Sequence, residues 1–194
     1  MNYLSWADLA AYLDWAGLRP MSELEFERAG RGPYRAVSGE YAWGSTSITG
    51  ATAVTNAGKL NEAPSAAANC VYNSAVQGPM RVGAMAAGDA TRLASGAGYY
   101  GAMDLSGNLW ERPVTVGNST GRGFNGAKHG NGVLTSGGDG DVTTWPGTNA
   151  VGAGFRGGHW ILSASSARLS DRSSAAYSST SRSHDGGRGA RSAP

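Results

Sequence analysis

The sequence predicts a loop-rich α+β domain. Two capped helical starts stand near its front, no long helical period follows them, and glycine is abundant, with 31 among 194 residues. The first helix is announced by Ser5 followed by Asp8, a capping-box pair, with Leu4 and Leu9 placed to form a hydrophobic staple and Gly17 placed as a left-handed stop. The second repeats the scheme. Ser22 with Glu25 is the box, Met21 with Phe26 the staple and Gly30 the stop, which predicts a helix over roughly residues 23–29. After Gly32 the pattern changes to turns, short strands and aromatic punctuation such as Tyr41-Ala42-Trp43-Gly44, with weak strands expected around residues 80–82 and 99–103. Residues 45–102 are rich in Ala, Gly, Ser, Thr and Asn. Their scattered Tyr72, Tyr99 and Tyr100 and lack of charge blocks favour an ordered, irregular surface layer over a linker. No internal repeat recurs at a fixed period, so a solenoid or propeller is not expected.

Composition sets further bounds. The chain has the length of one domain, enough to bury a core without staples. Its aromatics are mostly the polar-tipped kind, six Trp and eight Tyr against three Phe. Charged residues make up only 15%, the net charge is +2, and the arginines are spread along the chain, so the electrostatic footprint of a nucleic-acid binder is missing. A lone Cys70 allows neither an internal disulfide nor a thiolate metal cage. No apolar run approaches a membrane span, and residues 1–18 carry Asp8 and Asp14 with no basic start, unlike a secretory signal.

Residues 157–191 interleave two kinds of residue. One is a frame of Gly, Arg, Ala and Asp: Gly157, Gly158, Arg168, Asp171, Arg172, Ala175, Ala176, Arg182, Gly186, Gly187 and Arg188. Between them sit His159, Ile161, Leu162, Ser163, Ser166, Ser173, Ser174, Tyr177, Ser179, Ser181, Ser183, His184 and Asp185, which follow neither the helical period nor the strand period. A segment selected for packing would show a period. A Ser-rich flexible terminus shares part of this composition, but it would not need Trp160, Tyr177 or the regularly placed Arg and Gly. The arginines Arg156, Arg168, Arg172 and Arg188 are expected to hold loops by hydrogen-bonding backbone carbonyls rather than to bind an anion.

Several runs carry a resemblance. These are Ser5-Trp6-Ala7-Asp8, Leu18-Arg19-Pro20-Met21-Ser22-Glu23-Leu24-Glu25-Phe26-Glu27, Tyr41-Ala42-Trp43-Gly44, Met103-Asp104-Leu105-Ser106-Gly107-Asn108-Leu109-Trp110-Glu111, Phe155-Arg156-Gly157-Gly158-His159-Trp160 and Gly187-Arg188-Gly189-Ala190-Arg191. In order and spacing the chain resembles the formylglycine-generating enzyme (sulfatase-modifying factor) family along nearly its whole length. The resemblance implies a C-type lectin-like fold in a single domain, residues 1–194, with twisted antiparallel strands, two helices and much irregular loop. The family's usual opening strand before the first helix has no counterpart here, which implies a trimmed version or a fragment whose edge something else covers.

The oxidase members use a cysteine pair shortly after the Gly-Gly-aromatic run to bind copper. Here that place reads Ile161-Leu162-Ser163-Ala164-Ser165-Ser166, without the soft ligands a soft metal needs. Cys70 reads as a small buried apolar residue, and His129, His159 and His184 lack ligand spacing. No catalytic residue and no required cofactor is therefore expected. The resemblance also implies a structural calcium held by Asp104 and Glu111 with the carbonyls of Gly107 and Leu109. The alternative from the residues alone is that Asp104 and Asn108 cap a turn while Trp110 fills the core.

Within this fold the chain is most similar to the variable proteins of diversity-generating retroelements, in which an error-prone reverse transcriptase rewrites a C-terminal cassette at adenines. Such cassettes open around a run like Gly154-Phe155-Arg156-Gly157-Gly158-His159-Trp160 and close like Gly187-Arg188-Gly189-Ala190-Arg191. Rewriting the first two bases of an asparagine codon never yields Lys, Glu, Gln, Met or Trp. None of these occurs in residues 161–194, and neither does Asn. The expectation is a non-enzymatic ligand-binding protein: a scaffold over residues 1–156 and a variable region over 157–191, whose thirteen interleaved side chains face solvent. Tyr177, His159, His184 and Asp185 are the expected anchors, with Ile161 and Leu162 as a small apolar patch. The expected partner is a protein on another cell or a host, with a glycan as the alternative, and with no nucleic acid and no membrane insertion. By resemblance alone this places the chain on a cell surface or virus particle. The alternatives are a divergent enzyme of the sulfatase-modifying family and a structural domain of a phage or cell-surface fibre.

Overall fold

The computed structural model describes residues 1–86, 90–178 and 183–192. Both helical starts form as their caps dictate. In α1 (Trp6–Trp15) the Ser5 hydroxyl accepts the Asp8 N–H while the Asp8 carboxylate accepts the Ser5 N–H. Its apolar positions Trp6, Leu9, Ala10 and Leu13 fall on one face and pack with Val114, Trp145, Ala150 and Ala153. Beyond it, β1 (Arg19–Pro20) leads into α2 (Glu23–Arg31), capped reciprocally by Ser22 and Glu25. The helix runs through Gly30, the expected stop, and ends at Gly32 with φ +71°. The reason lies in packing, because a Cβ at Gly30 would stand 2.5 Å from Leu169 Cδ1. Gly30 therefore serves the close approach of the C-terminal segment rather than the helix end.

The remaining elements are small. They are β2 (Val54–Thr55), β3 (Ala63–Pro64), α3 (Arg92–Ser95), α4 (Ser119–Arg122), a 3₁₀ turn (Ala164–Ala167) and β4 (Gly189–Ala190). β1 pairs antiparallel with β4 in the register Arg19↔Ala190 and Pro20↔Gly189, and β2 pairs antiparallel with β3. The strands expected around residues 80–82 and 99–103 do not form. Met80 finds its strand-like partner in a side chain instead: Asn108 Oδ1 accepts the Met80 N–H at 2.9 Å and Asn108 Nδ2 donates to the Met80 carbonyl at 3.0 Å.

Among the described residues three apolar clusters make the core. Beside the α1 cluster, α2 contributes Phe26 to a group with Met21, Tyr41, Trp43, Cys70, Leu105, Ala167 and Leu169. The irregular stretch 45–102 has its own small cluster of Ala51, Ala68, Val71, Met80, Ala84 and Met85, covered by Trp160. The C-terminal segment thus supplies Ala167 and Leu169 to one cluster and Trp160 to another. Among the described residues no helix is long and apolar enough to cross a membrane.

Candidate ligand-binding face

The C-terminal segment enters the fold beside the Trp110-Glu111 strip. Glu111 and Arg156 exchange both backbone hydrogen bonds at 3.0 Å, and Gly154 N–H donates to the Pro113 carbonyl. Gly157 and Gly158 follow, both at positive φ, where a Cβ would lie 2.6 Å from the Leu105 carbonyl oxygen and 2.8 Å from that of Ser166. Only glycine permits this double turn and its close backbone contacts.

Of the four arginines expected to hold loops, Arg156, Arg172 and Arg188 are held mainly by carboxylates, while Arg168 meets the Tyr41 hydroxyl. Arg156 is almost fully buried; its Nη1 donates to Glu23 at 2.6 Å, its Nη2 to Glu27 and to the Leu169 carbonyl, and its guanidinium lies over the Phe26 ring. Arg172 donates to both oxygens of Glu23, at 2.7 and 3.1 Å. Glu23 also accepts the Thr115 hydroxyl and the Val116 N–H. Burial pushes the Glu23 carboxyl up, but Arg172, the Val116 N–H and Arg156 outweigh it and hold the group below its usual range. Glu23 and Glu27, one turn apart on α2, thereby grip the segment at two points, and Arg31 ties Glu27 to Glu40. The expectation that backbone carbonyls would be the arginines' main partners is corrected here. A buried guanidinium needs an opposite charge as well as acceptors.

Between these grips the chain turns outward. Ile161 is 40% exposed and Tyr177 56%, and Ser163 and Ser173 are exposed as well. Ser163 Oγ lies 2.9 Å from Ser165 Oγ, and the Ser173 hydroxyl donates to Asp171. Leu162, Ser166, Ser174 and Ser183 are partly exposed. Ser179 and Ser181 lie outside the described residues.

Of the thirteen positions expected to face outward, eleven are described, and the placement fails at three of them. Asp185 is 0% exposed, His159 5%, and the His184 side chain 14%. The Trp110 N–H donates to the His184 carbonyl and the Gly186 N–H to the Trp110 carbonyl, a bridge that carries Asp185 inward. His159 follows the double-glycine turn and is folded back against Trp110 at 5.4 Å, with the His184 ring stacked on it at 3.9 Å and 12°. Of the four expected anchors, Tyr177 alone stands well out of the fold, and it heads a file of rings that runs inward through Phe155 and Trp110 to His159. The sequence reading missed the fixed loop at this edge. Asn73 N–H donates to the Leu162 carbonyl and Ser74 N–H to that of Trp160, both residues holding positive φ. An Asn-Ser pair is a turn signal, but nothing in the sequence locates it beside residues 160–162.

Of the implied calcium ligands, Asp104, Leu109 and Glu111 line one cavity, whereas Gly107 does not and packs against Cys70 and Val71 instead. Asp104, Asn108, Leu109, Glu111 and Arg188 line a cavity of about 210 Å³. Glu111 Oε1 accepts from Arg188 Nε at 2.8 Å and from Nη2, which also donates to the Met103 carbonyl. Glu111 Oε2 is buried and has no hydrogen-bond partner among the described residues. Asp104 accepts the Gly83 N–H and is pushed above its usual range chiefly by burial. As arranged, this donor set does not fit a calcium ion. Arg188 already holds Glu111 Oε1 and the Met103 carbonyl, which leaves fewer protein oxygens at the corner than the roughly six to eight that calcium takes. Cys70 is buried, its thiol donates to the Ser106 carbonyl at 3.2 Å, and burial pushes its pKa far up, the surroundings of an inert thiol.

A comparison with curated proteins gives no match. Residues 1–193 match the family described as the sulfatase-modifying factor enzyme 1-like domain. On the strength of that match over nearly its whole length, the chain belongs to the sulfatase-modifying factor enzyme 1-like domain family.

Proposed function

We propose that this chain is a non-enzymatic ligand-binding protein, a variable protein of a diversity-generating retroelement that displays a diversified surface on a C-type lectin-like scaffold. The observation that carries the reading is a division of labour within one segment. Arg156, Arg172 and Arg188 are bound by Glu23, Glu27 and Glu111 of the preceding chain, whereas Ile161, Ser163, Ser173 and Tyr177 project outward. Residues that project outward can be replaced without a cavity or an unpaired charge. The absence of Asn, Lys, Glu, Gln, Met and Trp from residues 161–194 supports the same reading, since it is what rewriting of asparagine codons leaves. Tyr177 and Ile161 supply apolar area and the serines supply adaptable hydrogen bonds, a mixture suited to a protein partner on another cell or a host. Buried His159 and Asp185 act from beneath, as the floor of the face.

The test is the flanking DNA together with binding. A near-copy of the last stretch with asparagine codons at the variable positions, beside a reverse transcriptase gene, is the expected finding. Its absence, together with oxygen-dependent turnover of a cysteine-containing sulfatase peptide, contradicts the proposal.

A further inference from the structure

We infer that the Arg188 guanidinium takes the place of a metal ion at the Asp104 and Glu111 corner, so that the fold closes this corner with a cation of its own chain. The guanidinium does what a bound dication would do there. It gathers one carboxylate oxygen of Glu111 and the Met103 carbonyl, from neighbouring turns, onto one positive centre. Its position is fixed by backbone pairing, because the adjacent Gly189 and Ala190 form β4 and lie opposite Pro20 and Arg19 of β1. Glu111 is buried, so its charge requires a partner, and among the described residues Arg188 is the cation that reaches it. A planar donor fork that already holds the carboxylate leaves a second cation opposed.

The consequence is a C-terminal segment that carries its own counter-charge onto the scaffold. Its docking depends on Arg188 and not on the supply of calcium. This inference is independent of the ligand-binding reading and survives its failure.

Thermal melting of the full chain tests it. The wild-type midpoint is expected to agree within about 1 °C between about 5 mM calcium and the same buffer with excess EGTA. Arg188→Gln removes the charge while keeping much of the volume. It is expected to melt lower and to regain several degrees on addition of calcium, which then meets two carboxylates with no resident cation. A wild-type midpoint that rises by several degrees with calcium overturns the inference. So does an Arg188→Gln protein that folds, melts lower and gains nothing from calcium. Should that variant fail to fold, calorimetric titration of the wild type with calcium alone decides the matter. No saturable heat supports the inference, and a Kd below about 100 µM overturns it.

Discussion

Residues 154–158 and residues 161–178 are consecutive parts of one segment, yet they differ in almost every physical respect. The first part is buried; its arginine is enclosed by two carboxylates, a carbonyl and an aromatic ring, and its glycines accept contacts that no side chain could. The second part mixes buried anchors, Ala167, Leu169 and Ala175, with exposed or half-exposed residues, many of them serines. The difference teaches that the buried grip and the exposed side chains are separated along the chain by only a few residues. On the proposed reading, freedom to vary at Ile161 or Ser173 would rest on the burial of Arg156 and Leu169.

The sharpest way to break the comparison is to remove the grip. Arg156→Ala leaves Glu23 and Glu27 with reduced compensation in a buried site, and urea unfolding should show a loss of about 3–5 kcal/mol. A loss under about 1 kcal/mol would show that the grip is not what holds the segment. Next, Gly30→Ala drives a methyl group into Leu169 and should cost about 1–3 kcal/mol by the same measurement.

Acid sharpens the comparison further. Glu23 and Glu25 are both held below the ordinary value of 4.5; for Glu25, burial works upward and is outweighed by Arg19 and Ser22. A carboxylate whose pKa is lower folded than unfolded contributes stability above its unfolded value and loses that contribution as pH falls through its folded value. Unfolding free energy should therefore decline below about pH 4.5, and Glu25→Gln should reduce the decline by about 1 kcal/mol. An unchanged acid slope in Glu25→Gln contradicts the pairing. The smallest effect belongs to the outward part, where Tyr177→Ala and Ser173→Ala should each stay within about 0.5 kcal/mol of wild type.

Legibility in the sequence follows the range of the forces involved. The two capping boxes were readable because a cap is a local bond between residues three apart, and both form where Ser5-Asp8 and Ser22-Glu25 place them. The end of α2 is not legible locally, because Gly30 answers to Leu169, far along the chain. The strands around residues 80–82 and 99–103 were misread for a similar reason: Met80 bonds to the Asn108 side chain, and the Tyr99 N–H donates to the Gly30 carbonyl. In the C-terminal segment the division into frame and interleaved residues was readable from composition. The inward turn of His159 and Asp185 was not, because it depends on Trp110 bridging residues 184–186. Composition marks Arg188 as a frame residue, but its partner Glu111 lies 77 residues away, beyond the reach of any local pattern.

The most direct test of the central claim replaces Ile161, Ser163, Ser173 and Tyr177 together, for example as Ile161→Thr, Ser163→Tyr, Ser173→Tyr and Tyr177→His, and measures unfolding free energy in urea. The expected result is a value within about 1 kcal/mol of wild type, because independent exposed sites add small effects. A loss of about 3 kcal/mol or more would show that these side chains carry the fold and would contradict the account.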